Sequence, residues 1–188
     1  MEWIALAVVA VVFIAIAFFL ARTKAGLRSQ AGDLNKAWSD VEVLIKRQND
    51  DLPRLIQTCR SYMPAEQDAI LPVTGARAAC LKAKGIPEKA SCDAVLRSAL
   101  LALLAQAARH PDLKANSTFS QLQNDLLEIQ EKIEDRRELF NEDVRRFNRR
   151  LAHPPAAWLA AKLKLKPHPL FEVSEEPVKT SSIPLKPE

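Results

Sequence analysis

Residues 117–152 read STFSQLQNDLLEIQEKIEDRRELFNEDVRRFNRRLA, and their spacing decides the fold. Phe119, Leu122, Leu126, Ile129 and Ile133 recur at intervals of 3, 4, 3 and 4. After one polar step at Arg136 or Arg137 the stripe resumes at Phe140, Val144, Phe147 and Leu151. Nine steps over 32 residues give about 3.56 residues per step, between the coiled-coil value and the straight-helix value. Such a stripe is a packing face, and it requires partner helices. Ser117 or Thr118 is placed to cap the start, and His153-Pro154-Pro155 ends the helix.

Upstream, Leu34, Trp38, Val41, Ile45, Gln48, Leu52, Leu55, Cys59 and then Tyr62 or Met63 keep the same rhythm, which predicts a helix over about residues 27–61. Pro53 lies inside it, cannot donate to the carbonyl of Asn49, and predicts a bend. Pro64 and Pro87 suit the first turns of a second and a third helix, with Gly85 as the stop between them. The third helix, 87–109, carries Leu100, Leu101, Leu103 and Leu104. Pro72 and Gly75 fall midway through the second, at roughly 3 and 1 kcal/mol in an exposed helix interior, and leave open whether it breaks at Pro72. Strand-like alternation is absent, and the chain has only four glycines. The expected fold is all-α, an N-terminal transmembrane helix followed by a long antiparallel four-helix bundle over residues 22–152.

The transmembrane expectation rests on residues 1–21. From Trp3 to Ala21 there is no charge, and Val9, Phe13, Phe18 and Phe19 are typical of the run. Nineteen such residues span roughly 28 Å as a helix, close to the thickness of a bilayer core. A cleaved signal peptide would want a basic start and a shorter apolar run. Arg22, Lys24 and Arg28 follow the run before the first acid, Asp33, so the positive-inside rule places the N-terminus outside and the bundle in the cytoplasm. In an antiparallel bundle the last helix returns toward the membrane. Residues 153–171 then form a basic, amphipathic, membrane-proximal segment, with Trp158, Lys162, Lys164 and Lys166 at the headgroups. Alternatively its apolar residues cover the end of the bundle. Residues 172–188, rich in Glu and Pro, are expected to be a disordered tail.

The net charge of +4 combines 27 basic with 23 acidic residues. They interleave along helices, which argues for solvated faces and against nucleic acid. Cys59, Cys80 and Cys92 have no paired spacing and are expected to be free, packed thiols in a reducing compartment. No Gly-rich phosphate loop and no His-Glu-x-x-His helix is present, and the histidines His110, His153 and His168 each precede a proline. No catalytic residue, cofactor or metal is therefore assigned, and no enzyme is expected. Ala17, Ala21 and Ala25 form a small-residue row that allows a homo-oligomer.

Several motifs, taken in order, resemble the LemA family. Trp38-Ser39-Asp40-Val41-Glu42-Val43, then Lys46-Arg47, Asp50 and Pro53, is similar to its tryptophan-centred helix, basic pair and Asp-Leu-Ile-Pro-Asn-Leu run. His110-Pro111-Asp112-Leu113-Lys114-Ala115-Asn116 resembles its Pro-Asp-Leu-Lys-Ala-Asn junction. Phe140-Asn141 and Phe147-Asn148 resemble its repeated Tyr-Asn, with Phe for Tyr, and Phe171-Glu172 sits where the family has a terminal aromatic and acids. Asp51 and Arg54 depart from the pattern, and Arg47–Asp51 and Asp50–Arg54 are spaced for i,i+4 pairs. Trp38 reads as a core anchor, while Asn141 and Asn148 either bridge helices and fix register or lie exposed.

The resemblance implies a structural or adaptor protein of the bacterial inner membrane. Its partners would be the lipid bilayer and unidentified membrane or envelope proteins. The alternative is a membrane-linked signalling or sensory module, in which the helix beyond Pro53 responds to the membrane.

Overall fold

The computed structural model describes residues 2–172, and these are all-α, without a strand. The helices are α1 (Glu2–Tyr62), α2 (Gln67–Lys82), α3 (Gly85–Ala107), α4 (Pro111–Lys114), α5 (Ser117–Ala152) and α6 (Ala156–Leu163). The expected tail lies outside the described residues apart from Glu172.

The apolar N-terminal stretch and the first bundle helix are one helix. α1 continues through Gly26 and Pro53 without a break for 61 residues, about 92 Å. Pro53 removes the donor that Asn49 O would have received. A side chain replaces it: Arg77 Nε on α2 donates to Asn49 O at 2.8 Å. α2 likewise runs unbroken through Pro72 and Gly75. Pro72 lies in its second turn, where the carbonyl it leaves free, on Asp68, belongs to an exposed residue that water can reach. Pro64 is not in the first turn of α2. It sits in the connection after Met63, and the helix starts three residues later. Pro87 does fall in the first turn of α3, and Gly85, with φ of 79°, makes the reversal that a side chain would strain. Nor is α5 capped by Ser117 or Thr118. Asn116 Oδ1 accepts from Phe119 N at 3.0 Å, and its amide reaches Tyr62 Oη at 2.9 Å, so one residue caps α5 and ties it to the end of α1.

Contacts along the bundle fix its directions. α5 runs antiparallel to α1, from Asn116 beside Tyr62 to Arg150 beside Gln30. α3 runs parallel to α1, from Lys89 at Glu42 to His110, just past its end, at Glu66. α2 returns against α3, and Cys80 is bonded to Cys92 with their Cα atoms 5.2 Å apart. This corrects the expectation of three free thiols; Cys59 is the buried free one.

α2 and α3 are much shorter than α1 and α5, so the four-helix cross-section occupies only the distal half. Nearer the apolar stretch, α1 and α5 pack with α6 and with the chain that follows it. The core accordingly divides in two. One cluster, distal, includes Leu52, Leu55, Cys59, Ile70, Leu96, Leu103 and Leu126. The other includes Leu27, Leu34, Val41, Ile129, Phe140, Phe147 and Phe171. On α1 the boundary is Gln48, fully buried between Ile45 and Leu52.

Candidate functional site at the base of the bundle

Along the first 21 residues, large apolar side chains face outward on every side of α1: Trp3, Phe13, Phe18 and Phe19 are all exposed. A helix segment whose large apolar side chains are exposed all round is compatible with anchoring in a membrane. α3 is also long and apolar enough to cross one, but nearly half of its most apolar stretch is buried in the bundle. Val9 lies in the same run of α1.

The end of the apolar run meets the end of α5. Phe19, Arg22 and Thr23 on α1 face Arg149 and Arg150 on α5 and His153 just after it, with Pro154, Pro155 and Ala156 closing a cavity of about 630 Å³. Arg150 is half-buried, and its Nη1 donates to Gln30 Oε1 at 2.8 Å. Gly26 lets it lie there, because a Cβ at that position would stand 3.1 Å from Arg150 Nη2. Lys24 and Arg28 are exposed on α1. On α6, Ala156 and Ala160 are buried and Leu159 is packed against the core, whereas Trp158 stands 73% exposed with Lys162 beside it in the last turn. Lys164 ends α6 in the left-handed region with φ of 54°, and Lys166 is exposed beyond it. The interface candidates from the sequence thus gather at one end, while the apolar residues around them cover the core.

The chain then turns back. Asn148 accepts from His168 N and donates to His168 O, both at 2.9 Å. Asn141 does the same for Phe171, at 2.8 and 3.2 Å. Residues 165–171 therefore form a strap along α5, and its last ring enters the core. Trp38 packs tilted against both Phe140 and Phe171 with ring centroids 5.5 Å apart, while Lys89 Nζ lies 5.6 Å from its centroid. Arg145 pairs with Glu172 at the strap's end.

The other motif residues do not join this site. Arg47 pairs with Asp51 at 3.9 Å as spaced, but no such pair forms between Asp50 and Arg54, both exposed. Asp112 is exposed on α4, and Asn116 is at the distal end.

Sequence reasoning missed Arg77, Phe171 as a core residue, and Asp93. The signal for Asp93 was present: Ala90, Asp93, Leu96, Leu100, Leu103 and Ala107 form the buried stripe of α3, with an acid on it. Burial pushes the Asp93 carboxyl up to about 6 against the pull of Arg137 and Arg97, and Glu134 adds to the rise. Burial also pushes the Cys59 thiol up to about 11, so it stays protonated at neutral pH. Among the described residues no group of three or more His, Cys, Asp or Glu could hold a metal ion.

A comparison with curated proteins finds no match. The model of the LemA family matches residues 37–183, more than three quarters of the sequence, from just before Trp38 to beyond the strap. With the ordered motifs lying on an all-α fold inside that match, the chain belongs to the LemA family.

Proposed function

We propose that the chain is a membrane-anchored structural or adaptor protein that organises other envelope proteins through its helical bundle and catalyses no reaction. It sits in the bacterial inner membrane with its N-terminus outside and its bundle in the cytoplasm. The observation that supports this most is the continuity of α1. A bundle joined to its anchor by a helix rather than a loop is held upright at a fixed height, which suits a platform. The basic flank Arg22, Lys24 and Arg28 supports the orientation.

The test is crosslinking and affinity capture of the full chain in native membranes, with residues 22–188 as the unanchored control. A specific partner enriched only with the anchored form is the expected result. Recovery of the chain alone would replace the adaptor with a self-assembling scaffold.

The Cys80–Cys92 bond favours a second reading, in which the bundle stands on the oxidising side. Labelling of a cysteine placed at exposed Leu127, in intact cells with an impermeant thiol reagent, separates the two. Protection until lysis fits the cytoplasmic bundle, and labelling of intact cells fits the inverted one.

A further inference from the structure

The geometry points to a binding site for one anionic phospholipid headgroup in the cavity at the base of the bundle. This rests on the membrane reading above. One wall is a single face of α1, on which Phe19 is followed by Arg22 and Thr23 at the i+3 and i+4 positions. Along that wall the lining passes from apolar to cationic within one helical turn, as the environment does between acyl chains and headgroups. The opposite wall is the last turn of α5, with Arg149 and Arg150, and His153 just past its end. Three guanidinium groups, charged at any physiological pH, thus line a space within the size range of small-molecule sites.

Among the described residues no acid lines the cavity and none of the three arginines is in an ion pair. Elsewhere on α5, Arg137, Arg145 and Arg146 each have a carboxylate, while the exposed Arg136 has none among the described residues. Arg150 is already positioned by Gln30 and by the absence of a side chain at Gly26. Like charges gathered in one recess repel, and a phosphate relieves that repulsion while accepting the forked hydrogen bonds that guanidinium groups offer. α6 begins at Ala156 on the third side and adds the partial positive charge of its N-terminal end. The Phe19 wall selects among phosphate carriers: a free phosphate makes no use of it, whereas a lipid lays its acyl chains along the apolar run of α1.

The experiment is lipid retention by the full chain. It is reconstituted into nanodiscs of phosphatidylcholine with a minor fraction of phosphatidylglycerol, then extracted into mild detergent, and the bound lipid is weighed by mass spectrometry. At least about tenfold enrichment of phosphatidylglycerol over its bulk ratio is expected, which is less than the full attraction of three basic groups to an anionic headgroup would supply. The double substitution Arg22→Glu and Arg149→Glu should return the ratio to bulk. Lys162→Glu with Lys164→Glu, outside the cavity, should leave it enriched.

Retention of both lipids at the bulk ratio by the parent chain would overturn the site while leaving the anchor intact. Failure of the chain to enter the discs would overturn the anchor itself. A third arm follows arginine modification by phenylglyoxal in neutral discs. Protection of Arg149 by inorganic phosphate, without phosphatidylglycerol enrichment, would assign the cavity to the free anion and contradict the lipid.

Discussion

Asn141 holds the backbone of Phe171 by both ends, accepting from its N–H at 2.8 Å and donating to its carbonyl at 3.2 Å. Asn148 repeats the arrangement at His168. The two registers agree because seven residues of helix rise about 10.5 Å and three residues of extended chain cover roughly 10 Å. An antiparallel strap therefore meets the same helix face at both asparagines. The seven-residue spacing of the Phe-Asn pairs serves this strap: each Phe packs in the core and each Asn beside it serves as a backbone clamp.

Asn141→Ala should remove both partners from a buried backbone and lower stability by about 2–6 kcal/mol, at about 1–3 kcal/mol for each group left unsatisfied. Asn148→Ala should cost about half as much, because its clamp is only partly buried and water can substitute. Phe171→Ala should cost about 3–5 kcal/mol, and combined with Asn141→Ala the losses should fall well short of their sum. Urea titration of the detergent-solubilised chain checks all three. Equal, additive losses would mean that the strap is not held as one unit.

The helices were legible in the sequence because their information is local. The stripe from Phe119 to Leu151 and the run from Leu34 to Cys59 each carry their period on the page, and their apolar residues are buried in the core apart from Leu122 and Trp38, which are half-buried against it. What was not legible depends on partners distant in the chain. Pro53 predicts a free carbonyl at Asn49, but nothing local says that Arg77, 28 residues on, will fill it. Asn141 and Asn148 announced a polar need at a core edge without saying whose backbone would meet it. Cys80 and Cys92 face each other only because Gly85 folds α2 onto α3. The strap has no period to detect, and only Phe171, an aromatic after a proline-rich stretch, marks it.

Arg77 and Pro53 should be coupled. With Pro53 in place, Arg77→Ala leaves Asn49 O without its donor and should cost about 1–2 kcal/mol. Pro53→Ala restores the backbone donor and removes a penalty of up to about 3 kcal/mol, so in that background Arg77→Ala should cost much less. A double-mutant cycle by chemical denaturation gives the interaction energy directly. A value near zero would show that the contact does not compensate the proline.

Asp93 should give stability a reversed dependence on pH. Its carboxyl is raised from 3.8 to about 6 in the folded state, so between those values the folded chain holds a proton that the unfolded chain has lost. Stability from this group therefore rises as pH falls from about 6 toward 4, by at most about 3 kcal/mol. Glu66 works in the opposite sense. Hydrogen bonds from Gln106 and His110 hold its carboxyl low, so its contribution is lost as pH falls through the acid range. Asp93→Asn isolates the first effect: it should flatten the profile between pH 4 and 6 and raise stability at neutral pH. An unchanged profile would place the Asp93 carboxylate in contact with water.

α1 should carry the bundle out of a bilayer with α6 at its surface, and spin-label depth measurement tests this most directly. Nitroxides are attached at Phe13→Cys, Trp158→Cys and Leu127→Cys, three exposed positions, in the full chain with its native cysteines replaced by serine and reconstituted in vesicles. Collisions with oxygen, which concentrates in hydrocarbon, are compared with collisions with a water-soluble nickel chelate. The expected order is oxygen-dominated at 13, intermediate at 158 and chelate-dominated at 127. Equal chelate access at 13 and 127 would put the apolar run in water and contradict the anchor, and equal access at 158 and 127 would lift α6 off the membrane.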